Sequence, residues 1–233
     1  MNFGSWLQSW IDVTTRPGEP AFEVERAKPQ ANLTTAAIWV GLVALVAGIF
    51  DMIQGAIALR QFQAVGGLQG ILAQLNLPPD VAGPAMEQLN QLPAGLVPGI
   101  GRPGVGFAAL FGGIIGAIVS FIIFAGLLQL VAKILGGTGS FGKYAYLLAA
   151  VYVPVTLVNS VLGLVPLLGG CIAFILWIYQ LVLAYYATRV EHKLSSGRSI
   201  IVVLAPLVIL LLIGCCFLGT IGGMLGLIMN SGQ

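Results

Sequence analysis

The chain has 233 residues, 58% of them hydrophobic and only 8% charged, with a mean hydropathy of +0.99 and a formal net charge of +2. About a quarter of a soluble domain is charged, so this composition cannot cover a water-facing surface and the chain belongs in a membrane. The small net charge, with no basic cluster interleaved with aromatics, excludes nucleic acid as a partner, and the length fits one compact membrane domain.

The chain opens on a cytoplasmic segment, residues 1–32, with no basic n-region and cleavage site, so a removable signal peptide is not expected. Phe3, Trp6, Leu7, Trp10 and Ile11 recur at helical spacing on one face. With two tryptophans and too little length to span, this amphipathic helix is expected to lie in the inner interface and anchor the segment. Sensing lipid or docking a partner is its alternative role.

A span needs about 20 mostly apolar residues. Residues 33–59 satisfy this, with Asn32 placed to cap the helix. Asp51 is the only charge in that run, roughly 7 Å beyond its centre toward the outer face at 1.5 Å per residue. Ionisable groups at depth invite a functional reading. Asp51, Gln54 and Asn159 form a possible intramembrane polar site, with two interpretations: a structural clasp between Asp51 and Asn159 or a snorkelling aspartate on one side, a water-lined proton or cation site on the other.

The outer loop, 60–105, is long for a small bundle and is expected to be helical, because Leu68, Ile71, Leu72 and Leu75 share a face and Met86 and Leu89 hint at a second short helix. The second span is expected over 106–132. Its Gly112 and Gly116 have the small-xxx-small spacing that lets helices approach closely, either within the bundle or in self-association.

The stretch AKILGGTGSFGKYAYLLAAVYVP then places a glycine-rich turn between two lysines and two apolar runs. No charge occurs between Lys143 and Arg189, twice the length of one span, so two helices are expected over 144–163 and 167–188. Pro166 and the glycines of Gly163 to Gly170 supply the break, whereas Pro154 is expected to kink the third span without ending it. RVEHKLSSGR, with the only histidine, His192, reads as a solvated inner loop. The fifth span, 200–229, holds Cys215, Cys216 and the spaced pairs Gly219/Gly223 and Gly222/Gly226. These cysteines and Cys171 read as small apolar filler.

With the N-terminus cytoplasmic, the inner side receives Arg16, Arg26, Lys28, Lys133, Lys143, Arg189, Lys193 and Arg198, and the outer side only Arg60 and Arg102. The positive-inside rule selects that orientation and requires an odd number of spans, which puts the C-terminus outside. The fold class is therefore all-α: a polytopic membrane protein of five transmembrane helices with interfacial amphipathic helices.

No GxSxG, HExxH, P-loop or Rossmann fingerprint occurs, and one histidine cannot supply a metal cluster or paired haem ligands. No metal, cofactor or catalytic activity is expected. The partners expected are the lipid bilayer and other membrane proteins, or a second copy packed through glycine-rich helix faces.

VAKILGGTGSFGKYAYLLAAVYVP, with Gly136, Gly137, Ser140, Phe141 and Pro154, together with RPGEPAFEV before the first span and YYATRVEHKLSSGRSIIVVL leading into the fifth, resembles the Yip1 family of five-span membrane proteins. The resemblance covers nearly the whole chain. It implies that Gly136, Gly137, Ser140, Phe141 and Pro154 are structural. Eukaryotic members are similar to trafficking adaptors that associate with Rab GTPases in Golgi and endoplasmic reticulum membranes. The short N-terminal region and the outer insert look more like the prokaryotic branch, so Rab binding is not carried over and a prokaryotic cytoplasmic membrane is expected. The function expected is that of a scaffold, adaptor or accessory component organising membrane proteins or lipids. A small-solute or ion transporter using Asp51 and the proline-broken third helix is the alternative.

Overall fold

Seven α-helices and no strand make up the described residues: α1 (Phe3–Thr15), α2 (Glu19–Ala27), α3 (Leu33–Ala64), α4 (Gly106–Ile134), α5 (Phe141–Leu162), α6 (Leu168–His192) and α7 (Ser196–Ser231). The computed structural model describes residues 3–64, 106–165 and 168–231; for residues 59, 106–109, 168, 213 and 216–231 the description is of the backbone. The helices expected in the outer loop over Leu68 to Leu89, and Pro166, lie outside the described residues, as do the side chains of Cys216 and of the chain beyond it. Two compact units are present, one of Met1–Val40, Ile118–Val155 and Phe174–Gln233, the other of Gly41–Ala117 and Thr156–Ala173.

Among the described residues four helical stretches are long and apolar enough to cross a bilayer: Leu33–Ala64, Leu110–Ile134, Phe141–Leu162 and Gly169–His192. In α7 the described apolar stretch, Ser196–Leu212, is shorter. Their outward faces carry large apolar side chains such as Phe111, Ile115 and Leu210, each more than half exposed. In water such continuous apolar surface would drive association; against acyl chains it is matched. In α5, 56% of the most apolar window is buried, against 17–22% in the other three spans, so α5 is the most buried of the four.

Local chemistry sets the helix ends. Pro20 stands in the first turn of α2, where its missing N–H is no loss. Asn32 caps α3: its Oδ1 accepts the Thr35 backbone N–H at 2.9 Å and the Thr35 hydroxyl at 3.2 Å. Asn32→Ala should lower stability by about 1 kcal/mol, read as a lower thermal midpoint in detergent.

α4 ends in a Schellman motif. The Gly137 N–H donates to the Ala132 carbonyl at 2.8 Å and the Gly136 N–H to that of Lys133 at 3.0 Å, with Gly136 at φ +90°, a conformation that side chains resist. α5 runs through Pro154 to Leu162 without a break. The α5 to α6 turn is tight enough that a Cβ on Gly169 would strike the Leu162 carbonyl.

The first unit's core gathers Trp39, Tyr144, Tyr146, Phe22, Leu128 and Leu183, all fully buried. The second is joined by Gly48 of α3, where a Cβ would stand 3.5 Å from Leu110 of α4, and by Gln54, whose Nε2 donates to the Ser160 carbonyl of α5 at 3.0 Å.

Three expectations change. α6 does not end near residue 188; it continues through His192, which is buried and not in a solvated loop. Cys171 and Cys215 are free thiols on the exposed surface and not packed filler, because their helices turn those positions outward. Gly112 and Gly116 have open space where a Cβ would stand, so no helix among the described residues packs on that face of α4.

Candidate functional site

The densest polar chemistry of the first unit lies where the α4–α5 turn, the end of α6 and the N-terminal helices meet. The backbone comes first. After the Schellman turn, the Thr138 N–H donates to the His192 carbonyl at 3.3 Å, and Gln129 Nε2 donates to the Gly139 carbonyl at 3.2 Å. The turn therefore lies directly on the last residues of α6. A Cβ on Gly137 would come within 2.9 Å of His192 Cβ, and one on Gly139 within 2.7 Å of both Glu191 Cγ and the Glu191 carbonyl. Only glycine permits that approach.

The approach delivers the buried Glu191 carboxylate to the start of α5. Its Oε1 accepts the Ser140 backbone N–H at 2.7 Å and the Ser140 hydroxyl at 3.2 Å; its Oε2 accepts Arg26 Nε–H at 2.6 Å. A helix N-terminus has unsatisfied donors and partial positive charge, so a carboxylate there is stabilised twice, by hydrogen bonds and by field. Arg26 completes neutralisation, and the hydrogen bond to Glu191 holds its guanidinium above its ordinary pKa. Glu23, half exposed, adds a weaker contact at 3.6 Å.

A second buried carboxylate, Glu25, repeats the logic one residue away. Tyr146 OH donates to its Oε2 at 3.0 Å and Lys28 Nζ pairs with its Oε1. Lys28 also donates to Ser9 of α1 at 2.9 Å. Tyr146 in turn packs on Trp39, centroid to centroid 4.8 Å, and Trp39 meets Trp6 and Trp10 edge-on at 6.1 and 5.5 Å. At the far end of α1, Tyr179 OH donates to the Thr14 carbonyl at 2.6 Å, and Arg189 pairs with Glu19 at 2.9 Å. The N-terminal helices are thus strapped to the span ends by aromatic packing and charge. Tyr146→Phe should destabilise by about 1.5–3 kcal/mol, because a buried carboxylate oxygen loses its donor; thermal unfolding of the detergent-solubilised protein measures it.

His192 lies at the centre of this arrangement, edge-on to Tyr144 at 4.7 Å, and neither ring nitrogen has a hydrogen-bond partner among the described residues. Tyr144 OH and Thr188 Oγ1 share a 2.8 Å hydrogen bond beside it. The arrangement tethers and neutralises. Among the described residues no group of three or more His, Cys, Asp or Glu side chains could hold a metal ion.

The Yip1 domain matches residues 11–218 of the chain. The chain belongs to the Yip1 family. That family is one of membrane-trafficking proteins, not known for enzymatic activity, and with the apolar helices it makes the chain an integral membrane protein in contact with the lipid bilayer. Neither the curated proteins nor the solved structures give a match.

Within this Yip1 domain the residues singled out from the sequence fall in different places. Gly136, Gly137 and Ser140 are in the latch just described, Phe141 is the first residue of α5, and Pro154 stands inside that helix. Of the amphipathic face, Trp6 and Trp10 turn inward onto Trp39, while Phe3, Leu7 and Ile11 are exposed. Asp51 is exposed and makes no hydrogen bond to Asn159, whose Oδ1 is buried without a partner among the described residues. Gln54 makes the interhelical bond, and a Cβ on Gly163 would press on its amide. Asp51→Asn should therefore leave the Gln54–Ser160 contact intact and should not lower stability, since it removes a charge from the span, as a thermal midpoint in detergent no lower than wild type would show.

Glu25, Arg26, Lys28 and Glu191 were not anticipated as a site. One signal was available: Glu191 and Glu25 both stand in the last turns of their helices, where the helix dipole disfavours an acid. An acid kept there needs a compensating partner.

Proposed function

We propose that this Yip1-family protein is a non-catalytic scaffold or adaptor of the membrane, whose N-terminal helices form a fixed platform for other membrane proteins. The observation that carries this is the double latch: Arg26 on Glu191, and Lys28 with Tyr146 on Glu25. The buried charges of α2 are engaged in holding it still, while its outer side, with Val24 64% exposed, stays open to a partner. Phe3, Leu7 and Ile11 would hold the rim of the platform in the lipid interface.

The topology that goes with this reading has five spans, a cytoplasmic N-terminus and an outer C-terminus. Its support is the unbroken 36-residue α7, longer than the roughly 20 residues a span needs, and the excess of Lys and Arg at one set of helix ends. The large outer insert, 60–105, favours the prokaryotic-type branch.

Affinity purification from native membranes in mild detergent, with Arg26→Ala in parallel, tests the proposal. A reproducible stoichiometric membrane-protein partner, weakened by Arg26→Ala, is expected. A clean monomer whose deletion leaves every membrane complex intact would overturn it.

A further inference from the structure

The two turns joined at Glu191 carry a second feature that the latch does not use. Residues 133–143 and 193–198 contain Lys133, Lys143, Lys193 and Arg198 and no aspartate or glutamate. All four side chains are exposed, and none is in an ion pair among the described residues. They share one rim: Arg198 donates to the Leu135 carbonyl at 3.2 Å, two residues beyond Lys133; Lys193 follows His192, whose carbonyl accepts from Thr138; and Lys143 is three residues from Ser140, which binds Glu191.

Helix stability does not explain this charge. Lys143 and Arg198 stand in the first turns of α5 and α7, where the dipole disfavours a cation. The nearby acid, Glu191, is buried and already taken by Arg26. The cations border directly on apolar surface, with Ile134 75% and Ile201 54% exposed, so the rim falls at the level where acyl chains give way to headgroups.

We propose that Lys133, Lys143, Lys193 and Arg198 form a binding rim for anionic phospholipid headgroups, which supply the counter-charge this surface lacks. The continuity of the cations with lipid-facing residues selects membrane phosphate over a soluble acidic partner. The rim is independent of the platform proposed above, since it lies on the span turns and not on α2.

Native mass spectrometry of the purified full chain, with phosphatidylglycerol or phosphatidylcholine of the same chains added, reads the preference directly. Each basic residue near an anionic surface is worth about fivefold in binding, so the triple change Lys133→Gln, Lys143→Gln and Lys193→Gln should cut the preference for phosphatidylglycerol by at least about tenfold. The same three positions changed to arginine should keep the preference, as should Arg60→Gln, an exposed charge outside the rim. Raised salt should weaken it. Equal retention of both lipids by the unaltered protein, or a preference that survives the glutamine triple, overturns the proposal. Inorganic phosphate that displaces the lipid at equal concentration would assign the rim to a free anion and overturn it as well.

Discussion

Glu191→Ala is expected to lower the stability of the folded protein by about 1.5–3 kcal/mol, the worth of hydrogen bonds to a charged group. Two losses combine. The Arg26 guanidinium, 27% exposed in the latch, is left with only the weaker, exposed Glu23 at 3.6 Å, and the Ser140 N–H at the head of the most buried span loses its acceptor. Glu191→Gln separates the two. Its amide oxygen still accepts from Ser140, but its amine meets Arg26 donor to donor, so the drop should lie between wild type and alanine. Thermal midpoints in one detergent rank the three proteins. Limited trypsin digestion adds a local readout, because a released α2 exposes the bond after Arg26 to cleavage, while the Lys28–Pro29 bond stays resistant. An alanine variant as stable and as protease-resistant as wild type would show that the latch contributes nothing.

Gly139→Ala should be at least as severe. The new Cβ would stand 2.7 Å from the Glu191 carbonyl and 2.8 Å from His192 Nδ1, distances that real Cβ contacts do not sustain. A flexible side chain could move aside; a helical carbonyl cannot without opening the end of α6. The expected cost lies at or above the top of the roughly 1–3 kcal/mol range for overpacking. It should show as loss of the monodisperse peak on size-exclusion chromatography. Gly112→Ala is the matched control, since its Cβ enters open space. If both variants behave like wild type, the turn does not lie on α6 as closely as described.

The membrane character, the Asn32 cap, the glycine pair that closes α4 and the helix through Pro154 were legible because each rests on local chemistry: a run of apolar residues, a side-chain acceptor three residues from its donor, a backbone conformation reserved for glycine.

What was not legible depends on pairings across the chain. RVEHK has the composition of a solvated loop, and the burial of its Glu191 and His192 follows only from a turn some fifty residues earlier that needs a carboxylate. The amphipathic spacing of α1 placed Trp6 and Leu7 on one face; Trp39 draws the tryptophans inward and leaves Leu7 outside. Asp51 drew attention as a charge at depth, yet the neighbouring neutral Gln54 makes the contact, having the reach to meet the Ser160 carbonyl.

The Glu191 carboxylate also bears on how the chain is assembled. It completes the first turn of α5 from 51 residues downstream, and it receives Arg26 from 165 residues upstream. During synthesis the third span therefore emerges with an unfinished end, and Arg26 has no buried carboxylate to meet until α6 follows. Arrival of the end of α6 resolves both at once. One side chain thus acts as a completion signal: Arg26 can close on Glu191 only in a chain whose fourth span has been made, and a chain stalled earlier should present a more protease-accessible N-terminal segment.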